Sequence, residues 1–226
     1  MRIVIAGAHG QIARRLGRLL SSRGDEVVGL VRNAAHEADL RADGSGPVLL
    51  DLESASVEEV ARVVAGADAV VFAAGAGPGS GVARKDTVDR GAAVLLADAA
   101  EQTGVQRYVL VSSVGVESVA DGARPEGVDD VFVAYLRAKL AAEQDVLARG
   151  ALRTTVLRPG SLTDDPGTGQ VTLRRHVDRG SVPRDDVAAV LVALIDADLD
   201  AAVLELVSGP TPVADAVAAV RRDAPS

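Results

Sequence analysis

The chain has 226 residues, 48% of them apolar, which is enough for one continuous core and too many for a disordered chain. With only 2% aromatic residues the core must be built from Val, Leu, Ile and Ala, and the absence of cysteine excludes disulfides, thiolate metal sites and thiol nucleophiles. A formal charge of −8 argues against a nucleic-acid partner, which needs a basic face, and no apolar run approaches the roughly 20 residues that span a membrane.

The first ten residues, MRIVIAGAHG, carry one Arg and a short apolar run ending in Gly. They read as a first strand over 2–6 rather than a signal peptide, and the expected location is the cytoplasm. An amphipathic helix follows, with Ile12, Leu16, Leu19 and Leu20 on its apolar face. At the junction Gly7, Gly10 and Ala13 form a G-x-x-G-x-x-A turn. Gly7 permits the tight turn, Gly10 lets the backbone approach a pyrophosphate, and Ala13 allows close helix–strand packing. The N–H groups of the helix start, at Gln11 and Ile12, and its partial positive charge would then face the phosphates. His9 lies inside the turn, beside them. The turn reads as a dinucleotide site; the alternative is a turn of purely structural use.

The second strand, 26–31, ends at Arg32 with no acid nearby. Sites for NAD usually place Asp or Glu there, about 20 residues beyond the glycines, to bind the ribose 2′-OH. A guanidinium pairs with a 2′-phosphate instead, so NADP(H) is expected over NAD(H), unless Arg32 is a solvated strand-end arginine. The third strand, 47–50, ends at Asp51 and Leu52; Asp51 would either accept from the adenine amine or cap a helix over 54–63. A fourth strand over 69–74 runs into the Gly-rich segment 74–86.

The fifth strand, 107–112, ends in Ser112 and Ser113. The next helix carries YLRAK, placing Tyr135 and Lys139 four apart on one face. A nearby ammonium favours a phenolate, so the pair could move a proton, with Ser113, or else Ser112, holding the substrate oxygen. The plainer alternative is packing: Tyr135 flanks a stripe of Val133, Leu136, Leu140 and Leu147, and Lys139 would pair with Glu143. After a sixth strand over 153–158 comes a long polar excursion, 160–186, then a helix with Val187, Val190, Leu191 and Leu194 and a seventh strand over 202–207. Arg174, Arg175 and Arg184 in the excursion are candidate substrate contacts or solvated charges; His36 and His176 are expected in solvent, and the three histidines offer no metal geometry. Strands apolar on both faces, alternating with helices, predict a single domain over 1–226: a Rossmann-type, doubly wound α/β fold with a mostly parallel sheet. Segments 74–86 and 160–186 would cover the substrate at the carboxyl ends of the strands.

Taken together, GAHGQIARRL, VRN, DLES, VVFAAGAG, VDRGAAVLLADAAEQTGVQRYVLVSSVG, YLRAK and LRPGSLTDDPGTG resemble the atypical short-chain dehydrogenase/reductase superfamily, in the NAD(P)H-binding group near the NmrA-like and biliverdin reductase B-like proteins. The resemblance covers essentially the whole chain and implies NADP at the carboxyl ends of the strands, with substrate over the nicotinamide. It implies that Ala73, Ala74 and Gly75 line the adenosine-ribose side, that Pro159 and Gly160 lie near the nicotinamide, and that Lys139 also bonds the nicotinamide ribose. Catalytic members of the superfamily use Asn, Ser or Thr, Tyr and Lys; here Asp89 stands where the Asn is expected. The expected function is an NADP-dependent oxidoreductase for a small carbonyl, quinone or flavin-like substrate, working as a monomer or homodimer. A sugar epimerase or dehydratase is a second possibility, with little chain after Gly160 for a nucleotide-sugar domain, and a non-catalytic NADP(H) sensor a third.

Overall fold

The computed structural model describes residues 1–75, 77, 81 and 84–222. Its strands are β1 (Arg2–Ala6), β2 (Glu26–Val31), β3 (Gly46–Leu49), β4 (Ala69–Phe72), β5 (Arg107–Val111), β6 (Arg153–Pro159), β7 (Ser161–Thr163), β8 (Gln170–Arg174), β9 (Ser181–Pro183), β10 (Ala202–Ser208) and β11 (Thr211–Pro212). Nine of them form one sheet in the order β11-β8-β10-β6-β5-β4-β1-β2-β3, and β7 pairs with β9 separately. All seven runs expected as strands are present, and they pair in parallel, with Ile3 registered against Val27 on one side and Ala69 on the other. The fold is thus the expected Rossmann-type doubly wound sheet with helices on both faces.

Alternation along β1 divides the core. Ile3 and Ile5 face the helices Gln11–Ser22 and Arg184–Ala197, while Val4 and Ala6 face Val57–Val64, Ala92–Thr103 and Asp130–Leu147. With few rings available, close packing comes from β-branched strands set against Ala-rich helices, so both faces of the sheet are dry. Leu19, counted with the first helix's apolar face, is in fact exposed; Ala13, Leu16, Gly17 and Leu20 form the buried stripe. Among the described residues no helix is long and apolar enough to cross a membrane.

The excursion 160–186 is more ordered than its polarity suggested. QVTLR alternates exposed and buried residues, the mark of a strand covered on one face, and joins the sheet antiparallel to β10 with Leu173 opposite Leu206, the short β11 lying beyond it. Buried Asp186 ties down the turn before it, accepting from the backbone N–H of Thr168 at 3.0 Å and of Gly169 at 2.8 Å. The helix expected over 54–63 starts later, at Val57, because Ser56 and Glu59 form a reciprocal capping box. Asp51 is therefore not its cap; its Oδ1 accepts from the N–H of Glu53 at 3.0 Å.

Candidate active site

Between β1 and β4 the strand order reverses, so the segments leaving these strands diverge and open a crevice at their carboxyl ends. The glycine turn lies there. Gly7 has φ +75°, and a Cβ on it would come within 2.5 Å of the Ala74 Cα, so the approach of this turn to the end of β4 requires glycine. Gly10 donates to the Gly7 carbonyl at 2.9 Å and precedes a helix whose N-terminus has no side-chain cap. Uncapped amides at the positive end of a helix dipole, with no Cβ between them and the crevice, fit the pyrophosphate of a dinucleotide.

To one side of the turn, Arg32, Asp51, Leu52, Ala73, Ala74 and Gly75 line a cavity together with Gly7, His9 and Gly10. The Arg32 guanidinium is half-exposed and lies 3.2 Å from Glu53. Glu53 also takes Arg84 at 2.8 Å and the Thr87 hydroxyl at 2.9 Å, so this wall holds an acid and a second guanidinium that the sequence reading did not include. His36, expected in solvent, is instead half-buried and stacked on His9, ring centres 3.6 Å apart. His9 Nε2 lies 2.8 Å from Asp39 Oδ2. Burial, with the neighbouring His9 and Arg32, holds the His36 imidazole below its ordinary pKa.

A second cavity shares Gly10, Ala73 and Gly75 with the first and extends over Gln11, Ile12, Ser113, Tyr135, Pro159 and Gly160. Ser113 lines it, whereas Ser112 Oγ is enclosed and has no hydrogen-bond partner among the described residues. Gly160 is also constrained by packing, since a Cβ there would lie 2.4 Å from the Gly180 carbonyl oxygen. Tyr135 stands on the helix Asp130–Leu147, capped by Asp129 through the Phe132 N–H at 2.9 Å. A small cluster of Val116, Val119, Val133 and Leu136 seats that helix on the segment after β5, and Tyr135 packs against it.

Lys139 is enclosed one turn on. Its Nζ donates to the Val111 carbonyl at 3.0 Å and, at 3.5 Å, to that of Ala74, and it lies 3.5 Å from Asp89 Oδ1. The pairing of Lys139 with Glu143 does not form. Glu143 sits one turn further along, over β6, where the buried Arg158 engages it at 2.6 Å. Asp89 and Lys85 come from a π-helical turn, Lys85–Gly91, a geometry that recurs at functional sites. Lys85 was not foreseen as a site residue. Its spacing of four from Asp89 was a usable signal, but the pair lay at the end of a segment read as loop.

Of the other candidates, Arg184 lines the second cavity and pairs with Asp164 at 3.0 Å, while Arg174 and Arg175 border a separate cavity beside Leu199 and Val220. His176 is exposed, as expected, and lies 3.2 Å from Glu205. Residues 76, 78–80, 82 and 83, part of the expected 74–86 cover, lie outside the described residues. Among the described residues no group of three or more His, Asp or Glu side chains could hold a metal ion.

Comparison with known proteins bears on the fold and the cofactor class. Residues 7–198 match the model of a family described as NAD(P)H-binding. A Bacillus subtilis protein named as the uncharacterized sugar epimerase YhfK is 33% identical over 219 residues, covering 96% of this chain and 99% of its own. The structure of a Bacillus halodurans protein, assigned by name as an NAD-dependent epimerase/dehydratase, superposes with a TM-score of 0.86 at 34% identity, over 97% of this chain and 99% of the other. ChuY of Escherichia coli O157:H7, named as an anaerobilin reductase, superposes with a TM-score of 0.77 at 25% identity, over 92% and 97% of the two chains. With its glycine turn, its doubly wound sheet and a family match over most of its length, the chain belongs to the NAD(P)H-binding family, within the atypical short-chain dehydrogenase/reductase group.

Proposed function

We propose that the protein is an NADP(H)-dependent oxidoreductase for a small carbonyl, quinone or flavin-like compound. One observation carries this reading: the uncapped glycine turn stands between two adjoining cavities, with Arg32 in one and Ser113 and Tyr135 in the other. The bound nicotinamide would supply the hydride donor or acceptor. The protein would hold the pyrophosphate on Gly10, Gln11 and Ile12, with Gly7 shaping the turn and His9 beside it. Arg32 would meet the 2′-phosphate and Asp51, with Leu52, the adenine, while Ala73, Ala74 and Gly75 line the adenosine ribose and Pro159 and Gly160 border the nicotinamide. Tyr135 would exchange a proton with the substrate oxygen, and Ser113 would orient that oxygen. Lys139 braces the ends of β4 and β5 from below; a ribose contact of the kind the resemblance implies would draw on its longest bond, that to Ala74.

Relatives named as epimerases favour a second reading, in which hydride is taken and returned to the same sugar-like substrate without net oxidation. Steady-state assays with carbonyl, quinone and flavin acceptors separate the two. Net consumption of NADPH supports the oxidoreductase, and Tyr135→Phe should lower carbonyl turnover by roughly 10²–10⁴ with NADPH affinity unchanged. Substrate inversion without net NADPH loss would establish the epimerase. Tight NADPH binding with no turnover of any acceptor would make the protein a sensor.

A further inference from the structure

The oxidoreductase reading leaves one buried charged side chain in the lining of the reaction-side cavity without a task. Lys85 is buried at the start of the π-helical turn and lines the same cavity as Ser113 and Tyr135. Its Nζ stands 5.4 Å from the centre of the Tyr135 ring and donates to the Gly77 carbonyl at 2.9 Å. Lys139, the lysine that the Tyr-x-x-x-Lys spacing selects, stands 5.7 Å from the same ring but differs in its partners. An ammonium has three donors, and the two carbonyls and one carboxylate around Lys139 can take all three. Among the described residues lining the reaction-side cavity, Lys85 is the only lysine. Among the described residues its hydrogen bond goes to a neutral carbonyl, which leaves the positive charge uncompensated by that contact. A buried cation beside a hydroxyl-bearing pair, with donors to spare, suits a group on which negative charge develops.

We propose that Lys85 is a second catalytic cation of this site, donating a hydrogen bond to the oxygen of a carbonyl or quinone acceptor. The inference rests on the oxidoreductase reading. A bound reduced nicotinamide would supply the hydride for the new C–H bond of a carbonyl acceptor, and the π pair of its C=O bond would pass to the oxygen. Lys85 stabilises that charge and keeps its own proton. Tyr135 delivers its hydroxyl proton to the oxygen, and the phenolate recovers one from water. In this division of labour Lys139 is a positioning residue and Lys85 touches the substrate.

The test uses the full chain with NADPH and two acceptors, an aromatic aldehyde and menadione. Lys85→Met should lower kcat by roughly 10²–10³, as loss of one oxyanion donor does, with NADPH affinity and melting temperature held to within about the error of measurement. With cofactor deuterated at the transferred position, the isotope effect on kcat should rise, because the chemical step has become slower; Lys85→Arg should recover part of the rate. A purely structural role would move affinity and melting temperature and leave the isotope effect alone. Such a pattern overturns the proposal, as does a kcat within about threefold of wild type. If Lys85→Met fails to fold, Lys85→Gln, which keeps a donor for Gly77 and removes the charge, is judged by the same criteria. Failure of the parent reading looks different: wild type would then reduce neither acceptor, and both ideas fall together.

Discussion

The two halves of the crevice are built on opposite principles. The adenosine side is half-exposed and its charges already have exchangeable partners: Arg32 and Arg84 on Glu53, His9 on Asp39. The reaction side keeps Lys85, Asp89 and Lys139 out of water, with the last two held against each other. Exposed ion pairs are worth little and exchange partners readily, whereas a buried charge depends on its partner for several kcal/mol. In the half proposed for adenosine, Arg32 could therefore exchange Glu53 for a phosphate at little cost. In the reaction half the Asp89–Lys139 pair cannot be altered at one member without disturbing the fold beneath it.

The substitution expected to act most strongly is Gly10→Val, at the point the two halves share. Its Cβ would lie 3.2 Å from the Gly7 carbonyl oxygen, close enough to fill the mouth of the turn without forbidding the backbone, since Gly10 already has φ −63°. NADPH binding, followed by calorimetry, should disappear while the melting transition persists; unchanged affinity in a folded variant would reduce the turn to a structural device.

Next comes Lys139→Met, which removes the ammonium held against the buried Asp89. Removing one member of a buried pair typically costs about 3–5 kcal/mol, so this variant should lose stability in urea titration before it says anything about chemistry. Adding Asp89→Asn should return part of that loss. If Lys139→Met is as stable as wild type, the contrast between a tolerant and an intolerant half is wrong.

On the adenosine side the expected effects are smaller. Arg32→Ala should weaken NADPH by about 1–3 kcal/mol and leave NADH nearly untouched, the range of a charge-assisted contact. Glu53→Gln should move NADPH affinity the other way, because it removes a competitor for the same guanidinium. Equal affinity of wild type for the two cofactors would remove the specificity argument altogether.

The smallest effect is a pH dependence at the stacked histidines. The His36 pKa is lowered in the fold, so below about 6.5 the unfolded chain binds more protons than the folded one. Stability is thus lost as pH falls from that value toward the depressed one, and His36→Gln should flatten this part of the profile in thermal melts. A bound 2′-phosphate would oppose the loss by favouring the charged imidazole; an identical profile with and without NADPH would argue that His36 does not sense the cofactor.

The sequence by itself determined the sheet and singled out the residues proposed here for one half of the site. Runs such as RIVIA and AVVF are apolar at consecutive positions, which only a strand covered on both faces can use, and Gly7, Gly10 and Arg32 follow such strands at spacings set by one βαβ unit. These are local relations, and local pattern records them. The strand QVTLR was harder to see because it is apolar only on alternate residues and set within polar sequence. What only the tertiary structure decided is which charges meet. The spacing of Tyr135 and Lys139 places both on one face of a helix, but a helix face has depth: the phenol reaches the cavity wall while the ammonium one turn later is enclosed between the carbonyls of Ala74 and Val111. Lys85 and Asp89 reach the same place from some fifty residues away through a π-helical turn, and Glu143 is drawn off Lys139 by Arg158 on a neighbouring strand. Such pairings depend on where separate elements cross in space and on the cost of leaving a charge alone in the interior, and neither is written in the spacing of residues along one helix.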